Sequence, residues 1–132
     1  MNQHFKGLAH IGVMTNDLDK SLAFYKALGG VETDRAILST PEGEKTLVMV
    51  AVGGITVELI LPPVPMDLHE GVVSHFALYV EDIDAAHDAM VAAGIHTFQT
   101  PEKNESTIFG GAPNWFFTGP SGERIELMET LK

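Results

Sequence analysis

The chain has 132 residues, of which 45% are hydrophobic, and it carries a formal net charge of −10 at pH 7. This is enough for the core of one ordinary domain or of two small fused modules. The negative charge argues against nucleic acid or an anionic membrane as a partner. The lack of cysteine excludes disulfides, thiolate nucleophiles and cysteine-bound metals. Because no stretch reads as a signal peptide or a membrane span, we expect a cytoplasmic protein.

The first half of the chain predicts a strand, a helix and three further strands. A strand over residues 7–14 opens it, and apolar residues then recur at helical spacing up to Leu28. Asn16 or Asp17 can cap the start of this helix, and Gly29 suits the left-handed turn after its end. The remaining strands are expected at about 31–39, 45–52 and 55–61.

The second half predicts the same elements after a linker. The segment 62–71 is proline-rich, and proline does not serve a central strand. A strand at 72–80 follows, and then a helix that Asp82 can cap and that Gly94 ends. Strands are then expected near Thr97, at 114–118 and at 124–129.

The two halves also match each other in sequence. The stretch "LAHIGV" aligns with "VSHFAL", which places His10 on His75. The stretch "GITVEL" aligns with "GERIEL", which places Glu58 on Glu126. Each half therefore opens with a histidine and ends with a glutamate, as expected for an internal duplication. We predict an α+β fold made of two βαβββ modules in one domain over 1–132, with module 1 at about 5–61, the linker at 62–71 and module 2 at about 72–130.

Strand alternation places these four polar residues on one kind of surface. His10, Glu58, His75 and Glu126 all lie opposite the more apolar side of their strands, which is the side that packs on the helices. One such residue alone is more often a hydrogen-bonded core histidine or a solvent-facing glutamate. Four of them, matched by a repeat, favour a metal site. Two imidazoles and two carboxylates suit Zn, Ni, Co, Fe or Mn.

Other polar and aromatic residues are given smaller roles. We expect one of Trp115 or Phe117 to face the cleft and to shape an apolar substrate pocket. The histidines without a counterpart in the repeat are interpreted as surface or structural residues, with only a small chance that His69 touches the cleft: His4, His69, His87 and His96.

Three stretches, "LAHIGVMTNDLDKSLAFYKALGG", "SHFALYVEDIDAA" and "GPSGERIELME", resemble the glyoxalase I and vicinal-oxygen-chelate superfamily. The resemblance implies paired βαβββ modules that form a cup-shaped mixed sheet around one divalent metal. Short chains of this kind usually form homodimers, and the site can then take ligands from both subunits. The family's metal ligands fall on His10, Glu58, His75 and Glu126.

The resemblance also implies an activity, that of a metal-dependent lyase or isomerase of the lactoylglutathione lyase type acting on a small molecule. In such enzymes a proton moves next to a carbonyl while a metal stabilises the enediolate. Glu126 is then the candidate for the mobile base, and Glu58 holds the metal or shares that role. The alternatives are another enzyme of the superfamily (a thioester epimerase, a thiol transferase or an extradiol dioxygenase) or a non-enzymatic resistance protein that binds a small molecule.

One position departs from the glyoxalase I pattern. That family has an arginine four residues after the first histidine, where it helps to hold glutathione, and this chain has Met14 there. Basic residues are few in the whole chain, and the carboxylates of a glutathione adduct need such partners. The sequence therefore argues against glutathione as part of the substrate, although not against the metal chemistry.

Overall fold

The computed structural model describes residues 4, 6–69, 71, 73–106 and 108–130. These residues form seven strands and two α-helices. A short 3-10 turn at Phe109–Gly111 accompanies them. Helices and strands thus share one α+β fold, as predicted. In chain order they are β1 (Ile11–Met14), α1 (Leu18–Ala27), β2 (Val31–Thr40), β3 (Gly43–Val52), β4 (Ile55–Leu61), β5 (Phe76–Val80), α2 (Ile83–Ala92), β6 (Asn114–Thr118) and β7 (Arg124–Glu129).

The strands form two mixed sheets with the same internal order. The first sheet runs β1-β4-β3-β2, with β1 and β4 parallel and the other pairs antiparallel. The second runs β5-β7-β6, with β5 and β7 parallel. In both sheets the first strand of the module lies at one edge, beside the last strand of the same module. This repetition confirms the duplication inferred from the sequence.

The two modules differ in one strand. The counterpart of β2 in the second module is reduced to isolated bridges, Phe98 with Phe117 and Asn104 with Asn114. Between them the chain carries Pro101, which has no N–H to donate to a ladder. The strand predicted near Thr97 is therefore present only as a bridge at the next residue.

Both helices begin and end as their sequences indicate. Asp17 accepts a hydrogen bond from the backbone N–H of Lys20, and Asp82 accepts one from that of Ala85, so each caps its helix. Gly29 and Gly94 follow the two helices with φ angles of 88° and 92°. These angles lie in the left-handed region that glycine adopts without a steric penalty.

One apolar core joins the two modules. The ring of Phe24 in α1 lies 6.2 Å from that of Phe117 in β6, measured between centroids. The hydroxyl of Tyr25, also in α1, donates to Oε2 of Glu123 before β7 at 2.8 Å. The first helix therefore packs on the second sheet as well as on its own, and it fixes the position of one module against the other.

Candidate metal-binding site

The first histidine–glutamate pair sits at the free edge of the first sheet. In the parallel register of β1 and β4, Gly12 lies opposite Glu58. His10 is two residues before Gly12 and so points to the same face. Its Nε2 lies 3.6 Å from Oε1 of Glu58. The flanking residues Val57 and Leu59 are fully buried on the other face, which confirms the predicted alternation.

The second pair repeats this arrangement in the second sheet. Ala77 in β5 lies opposite Glu126 in β7, and His75 is two residues before Ala77. Nε2 of His75 lies 3.1 Å from Oε1 of Glu126. Ile125 and Leu127 are buried on the opposite face. The duplicated sequence therefore produces a duplicated pair, each with one nitrogen and one oxygen donor.

The second pair has additional polar support. Nδ2 of Asn114 in β6 donates to Oε2 of Glu126 at 2.9 Å, which leaves Oε1 facing the histidine. The hydroxyl of Ser74 and Nδ1 of His75 lie 2.7 Å apart, within hydrogen-bond distance. A partner on the second ring nitrogen fixes the orientation of an imidazole and the tautomer that a metal ligand needs.

The spacing within each pair fits two ligands of one metal ion. Nitrogen and oxygen ligands at about 2.0–2.2 Å from a divalent ion lie roughly 3.0–3.5 Å from each other. The separation in the second pair is within this range, at 3.1 Å, and that in the first is close to it, at 3.6 Å. Imidazole nitrogen with carboxylate oxygen is also a donor set that divalent transition metals accept.

A single chain does not bring the four residues together. Within the described ranges, no three or more histidine, cysteine, aspartate or glutamate side chains are grouped so that they could hold one ion. The chain therefore presents two half-sites, His10 with Glu58 and His75 with Glu126. That all four share one ion, as the sequence predicts, stays a prediction.

A groove runs beside both half-sites, with a volume of about 900 Å³. His10 and His75 line it, and so does Met14, which stands four residues after His10. His69 in the linker, which the sequence indicates as a surface or structural residue, lines it too. The linker has to pass from the end of β4 to the start of β5, and this path brings it past the groove.

Phe116 is the aromatic residue of β6 that lies on the same face as His75 and Glu126. The expectation that Trp115 or Phe117 faces the cleft was wrong. Trp115 and Phe117 are 4% and 0% exposed and belong to the core. Phe116 lies opposite Glu126 in the register, and its ring meets that of His75 edge-on at 5.2 Å. Trp115 and Phe117 share one side of β6. Phe116 lies on the other side, which is the side that Glu126 faces.

Two further residues near the groove were not identified from the sequence. The guanidinium of Arg124 lies over the ring of Phe116, 4.1 Å from its centroid.

Glu123 also lines the groove, but both of its carboxylate oxygens are already hydrogen-bonded, one to Tyr25 and one to the N–H of Ser121. Burial raises the pKa of Glu123 above its ordinary value. Burial, followed by the charge of Glu123, raises the pKa of Tyr25 far above the normal range, so its phenol stays protonated.

Comparisons with known proteins agree with this architecture. Residues 7–127 match the family model of the Glyoxalase/Bleomycin resistance protein/Dioxygenase superfamily. The protein SMU.1112c has a solved structure that is 26% identical, with 94% of this chain and 98% of that chain covered and a TM-score of 0.74. A comparison with curated proteins gives no match. The two α-helices in the described part of the chain have ten residues each, and neither meets the length and hydropathy of a membrane span.

Two more distant structures show the same fold in proteins with named activities. A mutant of FosX, a fosfomycin resistance protein from Listeria monocytogenes, was solved with Mn(II) and 1S,2S-dihydroxypropylphosphonic acid. It is 19% identical, covers 94% of this chain and 92% of its own, and has a TM-score of 0.67. A mutant of glyoxalase I from Zea mays is also 19% identical. It covers 95% of this chain and 45% of its own, with a TM-score of 0.76.

Proposed function

We propose that this chain, which belongs to the Glyoxalase/Bleomycin resistance protein/Dioxygenase superfamily, is a divalent-metal-dependent lyase or isomerase of the glyoxalase type. The proposal depends mainly on one observation, the pair of half-sites. Two separate sheets each place a histidine nitrogen within 3.6 Å of a glutamate oxygen, at equivalent positions of equivalent strands. A solvent-facing glutamate or an isolated core histidine does not account for this repetition.

The complete site is proposed to form in a homodimer, from the first half-site of one subunit and the second half-site of the other. Strands β1 and β5 lie at the edges of their sheets, where backbone groups are open to another chain. Large apolar side chains are exposed beside these edges, namely Leu8, Val73 and Tyr79. A two-fold dimer would bring the β1 edge of one subunit to the β5 edge of the other, and it would generate two identical sites.

In this assembly His10, Glu58, His75 and Glu126 would hold one divalent ion, and two carboxylates would balance its charge. When bound, the ion would supply the positive charge that stabilises an enediolate, which makes the carbon next to the carbonyl acidic enough to lose a proton. The Glu126 carboxylate would accept that proton and return it to the neighbouring carbon. Only 7% of its side chain is exposed, so little water competes for the proton.

The substrate is proposed to lack glutathione. Met14 lines the groove at the position where glutathione-dependent relatives carry an arginine. The thioether of methionine has no charge with which to hold a carboxylate. We expect the substrate to be a smaller carbonyl compound or its adduct, with proton transfer next to the carbonyl as the common step.

The test of the function is a metal titration coupled to an activity screen. Purified protein is expected to bind about one divalent ion per chain, because a two-fold dimer has two sites. The metal-loaded protein is then assayed for proton exchange next to the carbonyl, using hemithioacetals formed from methylglyoxal and several thiols. Binding of a metal with no exchange on any substrate would refute the lyase proposal and favour another activity of the superfamily.

The test of the shared site is complementation between two impaired chains, assayed at a metal concentration too low for either chain to be active alone. One chain carries Glu58→Gln and the other carries Glu126→Gln, and the two are refolded together. If each site takes its halves from different subunits, a mixed dimer has one intact site and one doubly altered site. Random mixing then restores about one quarter of the wild-type sites. If both halves come from one subunit, no mixture regains activity.

A further inference from the structure

The groove beside the half-sites is lined by one of the two arginines of an acidic chain. The chain has a formal net charge of −10, with six histidines and two arginines. Three of those histidines and one of the arginines line this groove, namely His10, His69, His75 and Arg124. Much of the rest of the lining is apolar, including Ile11, Val73 and Phe76. An apolar surface with one arginine suits a ligand with an apolar body and a negatively charged end.

Arg124 is held in place but keeps donors free. Its guanidinium stacks on Phe116 at 4.1 Å, and its Nε donates to Oε1 of Gln99 at 3.3 Å. Among the described residues, no carboxylate lies within ion-pair distance of it, and its two terminal nitrogens make no hydrogen bond. The stacking and the Gln99 bond fix the plane of the guanidinium. Its outer edge therefore remains available for the two parallel bonds that a carboxylate accepts.

Arg124 lies next to the second half-site, because it and His75 contact the same aromatic ring. The same Phe116 ring contacts the guanidinium on its face and the imidazole of His75 edge-on, at 4.1 Å and 5.2 Å between centres. Arg124 and Glu126 are two residues apart in β7 and so share one face. A small molecule that reaches the half-site with its reacting group can thus reach Arg124 with its other end.

We propose that Arg124 binds a carboxylate of the substrate and that the substrate is a small organic monoanion with an apolar body. This deepens the proposed function, because it places the reacting carbonyl at the half-sites. A monoanion is favoured over a more highly charged group because Asp67 also lines the groove and the whole chain repels negative charge. Glu123 does not compete for Arg124, since its oxygens are bonded to Tyr25 and Ser121.

The test compares two ligands with the same carbon skeleton, 3-phenylpropionate, which ends in a carboxylate, and 3-phenylpropanamide, which ends in a neutral amide. Their dissociation constants are measured by calorimetry for the wild type and for Arg124→Gln, each with a chelator present and with Zn²⁺ added. In the wild type the carboxylate is expected to bind about tenfold more tightly than the amide. Arg124→Gln should remove that difference and leave binding of the amide within about twofold.

Arg35 offers a matched control. It is the other arginine of the chain, it lies on β2, and it is paired with Glu32 at 2.9 Å. Arg35→Gln makes the same change in net charge and should leave both dissociation constants as in the wild type. Arg124→Lys keeps the charge but loses the fork of donors, and it should recover only part of the preference.

Three results would overturn the proposal. They are equal binding of the two ligands by the wild type, an unchanged preference in Arg124→Gln, and the absence of measurable binding of the carboxylate. The wild type and the variant are compared in the same metal state, so the effect of Arg124 can be read even if the metal site or the lyase activity is refuted.

Discussion

The two half-sites come from the same repeated unit, yet their surroundings differ. In the second, the Glu126 side chain is 7% exposed and is held by Asn114, while His75 is held by Ser74. In the first, the side chains of Glu58 and His10 are 16% and 38% exposed, and within the described part of the chain only their mutual contact at 3.6 Å is seen. The duplication has kept the histidine and the glutamate in both modules and the supporting residues in one.

The sequence register shows what replaced the support in the first half-site. Phe116 lies opposite Glu126, whereas Met49 lies opposite Glu58. By the same register, Leu47 stands where the second module has Asn114. Ala9 precedes His10 where Ser74 precedes His75. A half-site with fixed ligands binds an ion at a lower cost in conformational entropy. We therefore expect the second half-site to capture the metal first and the first half-site to complete the shell.

The largest effect is expected from Glu126→Gln, compared with Glu58→Gln. If Glu126 is the base, its loss should lower kcat about 10²–10⁴-fold while the dimer stays intact. Glu58→Gln should mainly weaken metal binding, so excess metal should restore part of its activity. Steady-state kinetics over a range of metal concentrations, with the dimer checked by light scattering, measures both. Full activity of Glu126→Gln would remove the assignment of the base.

The next largest effect is expected from removing the amide that holds Glu126. Asn114→Leu should weaken metal binding about 10–100-fold, because partners of this kind fix the ligand carboxylate. Leu47→Ala, at the equivalent place in the first module, is the control and should alter metal affinity far less, although it loses apolar contacts. Competition with a chromophoric chelator gives the affinities. The visible spectrum of the cobalt-loaded protein would show whether the ligand geometry has changed.

Equal losses in Asn114→Leu and Leu47→Ala would contradict the difference between the half-sites. An unchanged cobalt spectrum together with unchanged affinity in Asn114→Leu would mean that the bond to Glu126 has no role in holding the ligand. Thermal unfolding of both variants separates these outcomes from a general loss of stability.

A smaller effect is expected from exchanging the residues that precede the two histidines. Ser74→Ala removes the hydroxyl beside Nδ1 of His75, which lies 2.7 Å away. Metal affinity should fall by roughly a factor of ten or less, the low end for such partners. Ala9→Ser offers the same hydroxyl to His10 and should raise affinity slightly. If Ser74→Ala binds metal as the wild type does, the orientation of His75 is set by its edge-on contact with Phe116 instead.

Much of this arrangement could be predicted from the sequence, and the failures have physical causes. The strand–helix order, both helix caps and the ligand face follow from local patterns, namely alternation, helical spacing and glycine after each helix. The roles of Asn114, Arg124 and Tyr25 depend on pairing between strands or modules, which one sequence does not display. Pro101, which lies between the two bridges after α2, is present in the sequence, but a single sequence does not show which strand pairing it interrupts.

The smallest effect on the half-sites is expected from the contact that joins the two modules. Burial raises the pKa of Glu123, so the folded protein holds a proton there more tightly than the unfolded chain does. The protonated form contributes stability that is fully present below the unfolded value of about 4.5 and is lost as pH rises through the higher folded pKa. Glu123→Gln removes this ionisation and should flatten the decline in stability over that interval. Denaturant unfolding from pH 4 upward measures this change in the free energy of unfolding.

The Glu123–Tyr25 contact joins the modules and supports neither histidine–glutamate pair, so metal affinity in Glu123→Gln should change less than about twofold. A larger change would show that the packing between modules, rather than the residues around each pair, sets the difference between the half-sites.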